Sequence, residues 1–441
     1  MGKKVWLPIL LVLVFGCGDL FANIDNLSNM SSEWIRTGNR NAATDKADAV
    51  VYNPGGITEL KDGFAINIGN QSLIREPKHS FNLGTGKQSY DQDGMDPLLP
   101  NFYMTYNKDD WALWGGIYIP GGGAVVDYPD GSITTVLIGS SMLGTNVDVP
   151  LPDGSTLPSP ITAFGNDYLE AESIFMTYTF GGAYKVNEII SVAAGLRYID
   201  AETSVKAGLT ATLNVGGTPV DNPVIVDYEQ SASGTGFVVG LNLNPTDKVN
   251  IGLQYQSAIA LDFAIDVNRD DIGIFQPMDG TKTSRDFAAM FGLGVGYDMS
   301  EKLYLEADFS YWFQNMADWD TDVAGRDVSS LAGDTFSTGV TGTYKITDAV
   351  ALSTGVVYTG FKWNDRNAYY EVNTGSYEVL YTDNYMLGGG ASWQINDIVE
   401  VNLGLAQTFW KDGKLYHSTS GVSIDTENAT STVAVGANIT F

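Results

Sequence analysis

Cysteine occurs once in this chain, at position 17, and histidine twice, at 79 and 417. One cysteine excludes an internal disulfide and a thiolate metal site. Two histidines, neither beside a recognisable nucleophile motif, leave little for the general-base chemistry of most hydrolases, and no enzyme activity is expected. No nucleotide loop, zinc spacing or calcium loop of known form is present, so neither a cofactor nor a metal is expected. Positive charge is scarce too: 24 Lys and Arg stand against 52 Asp and Glu, a net charge of -28. A chain this acidic repels nucleic acid, and its carboxylates are expected on solvated loops. Long apolar runs are missing. The longest, residues 5–15, is too short for a membrane helix.

That run follows Lys3 and Lys4 and precedes Leu20-Phe21-Ala22. It reads as an export signal over 1–22, with the mature chain starting at Asn23. A lipoprotein box at Val14-Phe15-Gly16-Cys17 is the rival, with bulky Phe15 a misfit. The protein is exported, then, with no helix to hold it in a membrane.

What the chain has in quantity is glycine (50) and tyrosine (23), with only 17% charged residues. Strands facing an apolar medium have this composition. Period-two alternation recurs throughout. Leu303, Leu305, Ala307, Phe309, Tyr311 and Phe313 alternate with Tyr304, Glu306, Asp308, Ser310, Trp312 and Gln314. Val249, Ile251, Leu253 and Tyr255 form another such face, and Val399, Val401, Leu403 and Leu405 a third. Each run approaches the ~9–11 residues a tilted strand needs to cross a bilayer. Aromatic residues gather at the run ends, as in an interfacial girdle.

The breaks between runs are of two kinds. Short turns fall at 107–110, 185–188, 245–248, 299–302, 345–348 and 394–397. Long loops fall at about 75–99, 124–168, 205–229, 265–284, 317–331, 365–377 and 412–428. Six turns and seven loops imply fourteen strands, with both termini on the short-turn side. The expected fold is therefore all-β, a 14-stranded antiparallel transmembrane β-barrel over 63–441. The final "VAVGANITF" supplies a closing strand with a terminal aromatic. Closure satisfies every backbone group in lipid, which an open sheet cannot do.

Residues 23–62 precede the first strand. They are too polar and broken for the wall and too few for a core of their own. The economical place for them is inside the barrel, as a hatch. Here the chain resembles the FadL family of outer-membrane transporters of fatty acids and other hydrophobic compounds. The resemblance is carried by "GNRNAATDKADAVVYNPGGITELKDG" (38–63), similar to the family's hatch and its Asn-Pro-Ala signature, with Gly55 in place of Ala. "WGGIYIPGGG" (114–123) and the later hairpins are similar to family strands. The resemblance implies an outer-membrane location in a Gram-negative bacterium. It also implies capture of substrate in an external apolar groove, movement of the hatch, and lateral exit at a kink in strand three.

Candidate residues follow. Asn53, Pro54, Gly55 and Gly56 are the hatch turn. Pro120, Gly121, Gly122 and Gly123 interrupt strand three, since proline cannot donate to a ladder and glycine tolerates a bulge; a strand that simply ends there is the alternative. Val136, Leu137, Met142 and Leu143 in one long loop, with Ile274 and Phe275 in another, are apolar where water is expected. They mark a substrate groove, or else two loops packed on each other. Arg197 falls on the inner phase of strand five, either to hold a carboxylate head group or paired with Glu306, Asp308, Glu400 or the hatch. Asp200 and Glu202 further along that strand depart from a cationic pocket and leave neutral hydrocarbons open as substrates. The expected partners are a hydrophobic small molecule and outer-membrane lipid, with the barrel able to work as a monomer. An adhesin or structural barrel needs no hatch, and a general porin would conduct ions.

Overall fold

A computed structural model describes residues 28–84, 86–92, 95–321, 325–372, 376–418 and 420–441. The expected export signal and Cys17 lie outside the described residues. Eighteen hydrogen-bonded segments form one closed antiparallel sheet. They make fourteen wall strands, because three strands are interrupted and a short strand Asn146–Pro150 lies beyond the rim.

In chain order the wall begins with β1 (Gly63–Arg75), β2 (Met95–Lys108) and β3 (Trp111–Tyr118, resuming at Gly122–Tyr128). It continues through β4 (Thr156–Lys185), β5 (Ile190–Val215), β6 (Thr218–Thr246) and β7 (Val249–Gln256, resuming at Asp262–Asp270). Then come β8 (Lys282–Ser284, resuming at Met290–Asp298), β9 (Leu303–Trp312), β10 (Thr335–Lys345) and β11 (Val350–Phe361). The last three are β12 (Asn384–Gln394), β13 (Val399–Trp410) and β14 (Ala429–Thr440). Closure runs from Ala65↔Thr440 to Arg75↔Thr430, so the chain ends meet along β1 and β14.

The alternation sets the two faces. On β9 the Leu305 side chain is exposed to the outside, while Glu306, Ser310 and Trp312 are buried in the lumen. Tyr358 lies tilted against Tyr385 (4.9 Å) and edge-on to Phe336 (5.8 Å) on the outward face, an aromatic belt of the kind found at membrane interfaces. All six short turns lie where the sequence places them.

The long loops are more ordered than expected. Residues 205–229 are not a loop: β5 and β6 run on as strands of 26 and 29 residues, and β4 has 30. At ~3.4 Å per residue they reach roughly 90–100 Å, about three times the hydrocarbon thickness. Their alternation continues past the membrane, because the inward face there packs on a protein core. Val205, Leu209, Ala211, Val224 and Tyr228 belong to that core. A second external core gathers Phe81, Trp319, Tyr369, Tyr377, Leu415 and Ile424 from four other loops. Together they form a cap over the barrel mouth.

Residues 28–62 fill the half of the lumen nearer the short turns. Helix α1 (Ser32–Thr37) is capped by the Ser31 side chain and ends at Gly38, whose φ of 71° lies in the left-handed region. After α2 (Ala49–Tyr52), a 3-10 turn Pro54–Glu59 leads to the wall. The wall makes room for this backbone with glycine. A Cβ on Gly355 would lie 1.8 Å from the Thr37 carbonyl oxygen, and one on Gly252 would lie 2.0 Å from that of Asn41.

Candidate functional site

The hatch is held by polar groups on nearly every side of the barrel. Asp308 on β9 accepts the backbone N–H groups of Arg40 (2.7 Å) and Asn41 (2.8 Å), and Glu306 accepts that of Ala42 (2.8 Å). These carboxylates satisfy consecutive donors of an irregular segment that no helix could satisfy. Lys46 pairs with Glu400 on β13 at 2.8 Å, and Arg36 donates to Ser353 on β11. Within the hatch, Arg40 bridges Asp45 (2.8 Å) and Asp48 (2.5 Å). Glu33 is fully buried and accepts from Asn67 (2.8 Å), Asn402 (3.0 Å) and Asn438 (2.7 Å), on β1, β13 and β14.

The predicted turn residues sit at the hatch's contact with β6. Asn53 accepts from Gly56 N–H and donates to the Asn242 side chain at 2.7 Å. Gly55 lies so close to β6 that a Cβ would be 2.8 Å from the Asn242 nitrogen. The exchange of Ala for Gly in the signature is therefore more than a preserved turn: this barrel leaves no room for the methyl group.

Above the hatch the lumen is lined by aromatic rings. A cavity of about 150 Å³ is bounded by Trp34, Trp312, Phe361, Tyr381, Met386 and Trp410. It adjoins a recess of about 30 Å³ that reaches Tyr52, Pro120 and Phe287. Arg75, Asn29, Asn384 and several threonines share the lining with these rings, so the chamber suits an apolar molecule that also carries a polar group.

Strand three is interrupted at 119–121, which overlaps the expected 120–123 at Pro120 and Gly121. Three residues, 119–121, stand opposite two on β4, because Tyr118 pairs with Thr177 and Gly122 with Ile174. Gly122 has a φ of 67° and resumes the strand together with Gly123, so the break itself is Ile119-Pro120-Gly121. The interruption also separates β3 from β2. Their ladder stops at Phe102↔Ile117, and above it the Asp96 side chain on β2 and the Gln92 side chain just before it reach Val125 of the resumed β3. Pro97 and Pro100 in β2 cannot donate to a neighbour, which is the sequence signal that a gap belongs here. Sequence reasoning had passed over it, as it had Glu33 and the roles of Asp308 and Glu306.

Arg197 is 1% exposed and has none of the acidic partners proposed for it. Glu306, Asp308 and Glu400 are taken by the hatch. The guanidinium Nε donates to Tyr118 Oη at 3.4 Å, while Nη1 and Nη2 have no hydrogen-bond partner among the described residues. Its Cζ lies 5.7 Å from the centroid of Phe287, which separates it from the recess. Asp200 and Glu202 are exposed on the outer face of β5, so they do not oppose an anion in the lumen.

The predicted groove is closed. Its first loop forms helix α3 (Ile133–Met142), which buries Val136 in one external core and Met142 in the other. Leu137 packs on the second core, Phe275 is buried and Ile274 packs beside it; only Leu143, 45% exposed, faces water. The loops pack on each other, the alternative the sequence left open, because these apolar faces meet across the mouth. The N-terminus of α3 is held by two buried groups: His79 Nε2 accepts from Ile133 N–H at 2.9 Å, and Glu378 accepts from Thr134 N–H at 3.1 Å. Burial pushes the His79 imidazole down to about 3 and raises the Glu378 carboxyl.

The sequence matches the family described as outer membrane protein transport protein (OMPP1/FadL/TodX) over residues 141–441. No curated protein matches it significantly. Among solved structures, a FadL homologue of Pseudomonas aeruginosa superposes with a TM-score of 0.65, over 95% of this chain and 100% of that one, at 15% identity. The toluene transporter TodX of Pseudomonas putida gives 0.59, over 90% and 96%, at 13% identity. The toluene transporter TbuX of Ralstonia pickettii gives 0.51, over 90% and 94%, at 15% identity. At such identities these likenesses establish a shared fold.

Proposed function

Since the chain belongs to the outer-membrane transport family OMPP1/FadL/TodX, whose members carry hydrophobic compounds, we propose that its substrate is an apolar molecule bearing one carboxylate, such as a long-chain fatty acid. The observation that carries this reading is Arg197. A buried guanidinium with two unpartnered nitrogens carries a large desolvation cost, and a bidentate carboxylate would offset it. The aromatic chamber takes the hydrocarbon tail. Rotation of Phe287 would join the chamber to Arg197.

Transport then has four stages. Substrate enters through the cap, which must open because its apolar faces are closed. It settles in the chamber above the hatch, with the head group on Arg197. The hatch, which when seated keeps the lumen shut to water and polar solutes, shifts. The substrate leaves sideways through the gap between β2 and β3 into the membrane, so the apolar tail never crosses water.

The test is uptake by outer-membrane vesicles of a labelled long-chain fatty acid beside a labelled monoaromatic hydrocarbon. The acid should be taken up, and Arg197→Met should reduce its uptake by about tenfold or more, the loss expected for one charge-assisted pair. Uptake of the hydrocarbon alone, indifferent to Arg197, would refute the carboxylate reading and leave a neutral-hydrocarbon channel. Uptake of neither would return the barrel to an adhesive or structural role.

A further inference from the structure

The gap between β2 and β3 is not empty. Ile119, the first residue of the β3 break, is only 4% exposed. It packs against Leu73 and Leu99, from β1 and β2, and the same cluster includes Ile174 and Met176 from β4. The side chain therefore stands in the gap itself, with wall strands on both sides. Its neighbour Pro120 lines the lumenal recess. On β2, next to Leu99, Leu98 is 70% exposed on the lipid side. A molecule going from the recess to the lipid by this route must pass Ile119.

A second contact spans the same opening. Asp96, on β2, is buried and reaches in two directions. It pairs with Arg75 Nε on β1 at 3.1 Å and accepts the backbone N–H of Val125 on the resumed β3 at 2.6 Å. With the β2–β3 ladder absent here, Asp96 ties the outer edge of the gap across three strands. A charge-assisted bond to a backbone amide is stronger than a neutral one, so this strap resists separation of the strands.

We propose that Ile119 is the stopper of the lateral exit and Asp96 its strap, so that the side chain at 119 sets the cross-section of what can leave. This deepens the transport reading above and rests on it. Parting the side chains around Ile119 from β2 breaks no backbone ladder bond between β2 and β3. The predicted selectivity is steric: a straight chain slips past, and a ring or branched tail is held back.

Three variants test it in vesicles, with palmitic acid and a ring-bearing fatty acid of similar length as probes. Ile119→Ala should raise uptake of the ring-bearing probe by about tenfold, the effect of ~1.4 kcal/mol on a barrier, and leave palmitate nearly unchanged. Asp96→Ala should speed both probes. Ile119→Cys, in a chain whose other cysteine is at 17, should become blocked by a benzyl thiosulfonate reagent and recover on adding reductant. That reversibility separates a shut exit from a misfolded barrel. Equal uptake of both probes by Ile119→Ala and wild type, or full transport by the labelled Ile119→Cys protein, would overturn the assignment while leaving transport intact. Failure of the wild type to carry either probe would instead overturn the transport reading on which it rests.

Discussion

Replacing Glu33 by alanine should free the first helix of the hatch and leave the barrel standing. Three asparagine amides from three wall strands donate to one oxygen of this carboxylate, and the Ser32 hydroxyl donates to the other at 2.9 Å. A hydrogen bond to a charged group contributes ~1.5–3 kcal/mol, and bonds to one atom are not additive. Asn67 also donates to Asn438 at 2.8 Å, so part of the network survives without Glu33. A net loss of about 3–4 kcal/mol follows, borne by the local opening of residues 31–37 rather than by global unfolding. Amide exchange in α1 should accelerate by roughly 10²–10³-fold, with the wall strands unchanged. Single-channel conductance should rise from near zero as the plug loosens. Glu33→Gln keeps the oxygen that accepts from the three asparagines, and Ser32 can reverse its hydroxyl; its effect should be about 1 kcal/mol. Wild-type exchange and wild-type conductance in Glu33→Ala would refute the claim that this cluster anchors the hatch.

Gly55→Ala should weaken the hatch although only a methyl group is added. The new Cβ would press on the β6 backbone, and overpacking of this kind costs ~1–3 kcal/mol; faster exchange at 53–59 and slower uptake would show it, and unchanged values would refute it. The cap should loosen in acid through His79. Its folded-state value of about 3 lies below the ordinary 6.5, so its contribution is complete above pH 6.5 and declines as pH falls, by about 2 kcal/mol at pH 5. Protease cleavage of the external loops on intact cells should therefore quicken at pH 5, and His79→Gln, which retains an acceptor for Ile133, should flatten that dependence. Val136→Asp places a charge between packed loops and should expose the cap at neutral pH, read as cleavage without acid.

Much of this protein is local in origin. The wall strands and their turns were legible because a strand's side chains alternate with period two. When one face meets hydrocarbon and the other a polar lumen, each strand carries its own label, as Leu305 and Glu306 do on β9. The hatch was legible for the opposite reason, being the one segment near the start with no such label and a Pro-Gly-Gly turn. The break at 119–121 was announced by proline and glycine. Long-range pairing decided the rest. Residues 205–229 alternate as well as any wall strand, yet whether they loop or stand as a hairpin depended on a cap core drawn from loops far apart in sequence. Val136 and Phe275 were correctly seen as apolar, but only the fold set them against protein rather than substrate. Arg197 had three acids within reach of reason, and the tertiary structure gave all three to the hatch, leaving the cation against Tyr118 and Phe287 with no acidic partner among the described residues. Periodicity tells a residue which way to face; which partner waits there is settled only when distant strands close into a barrel.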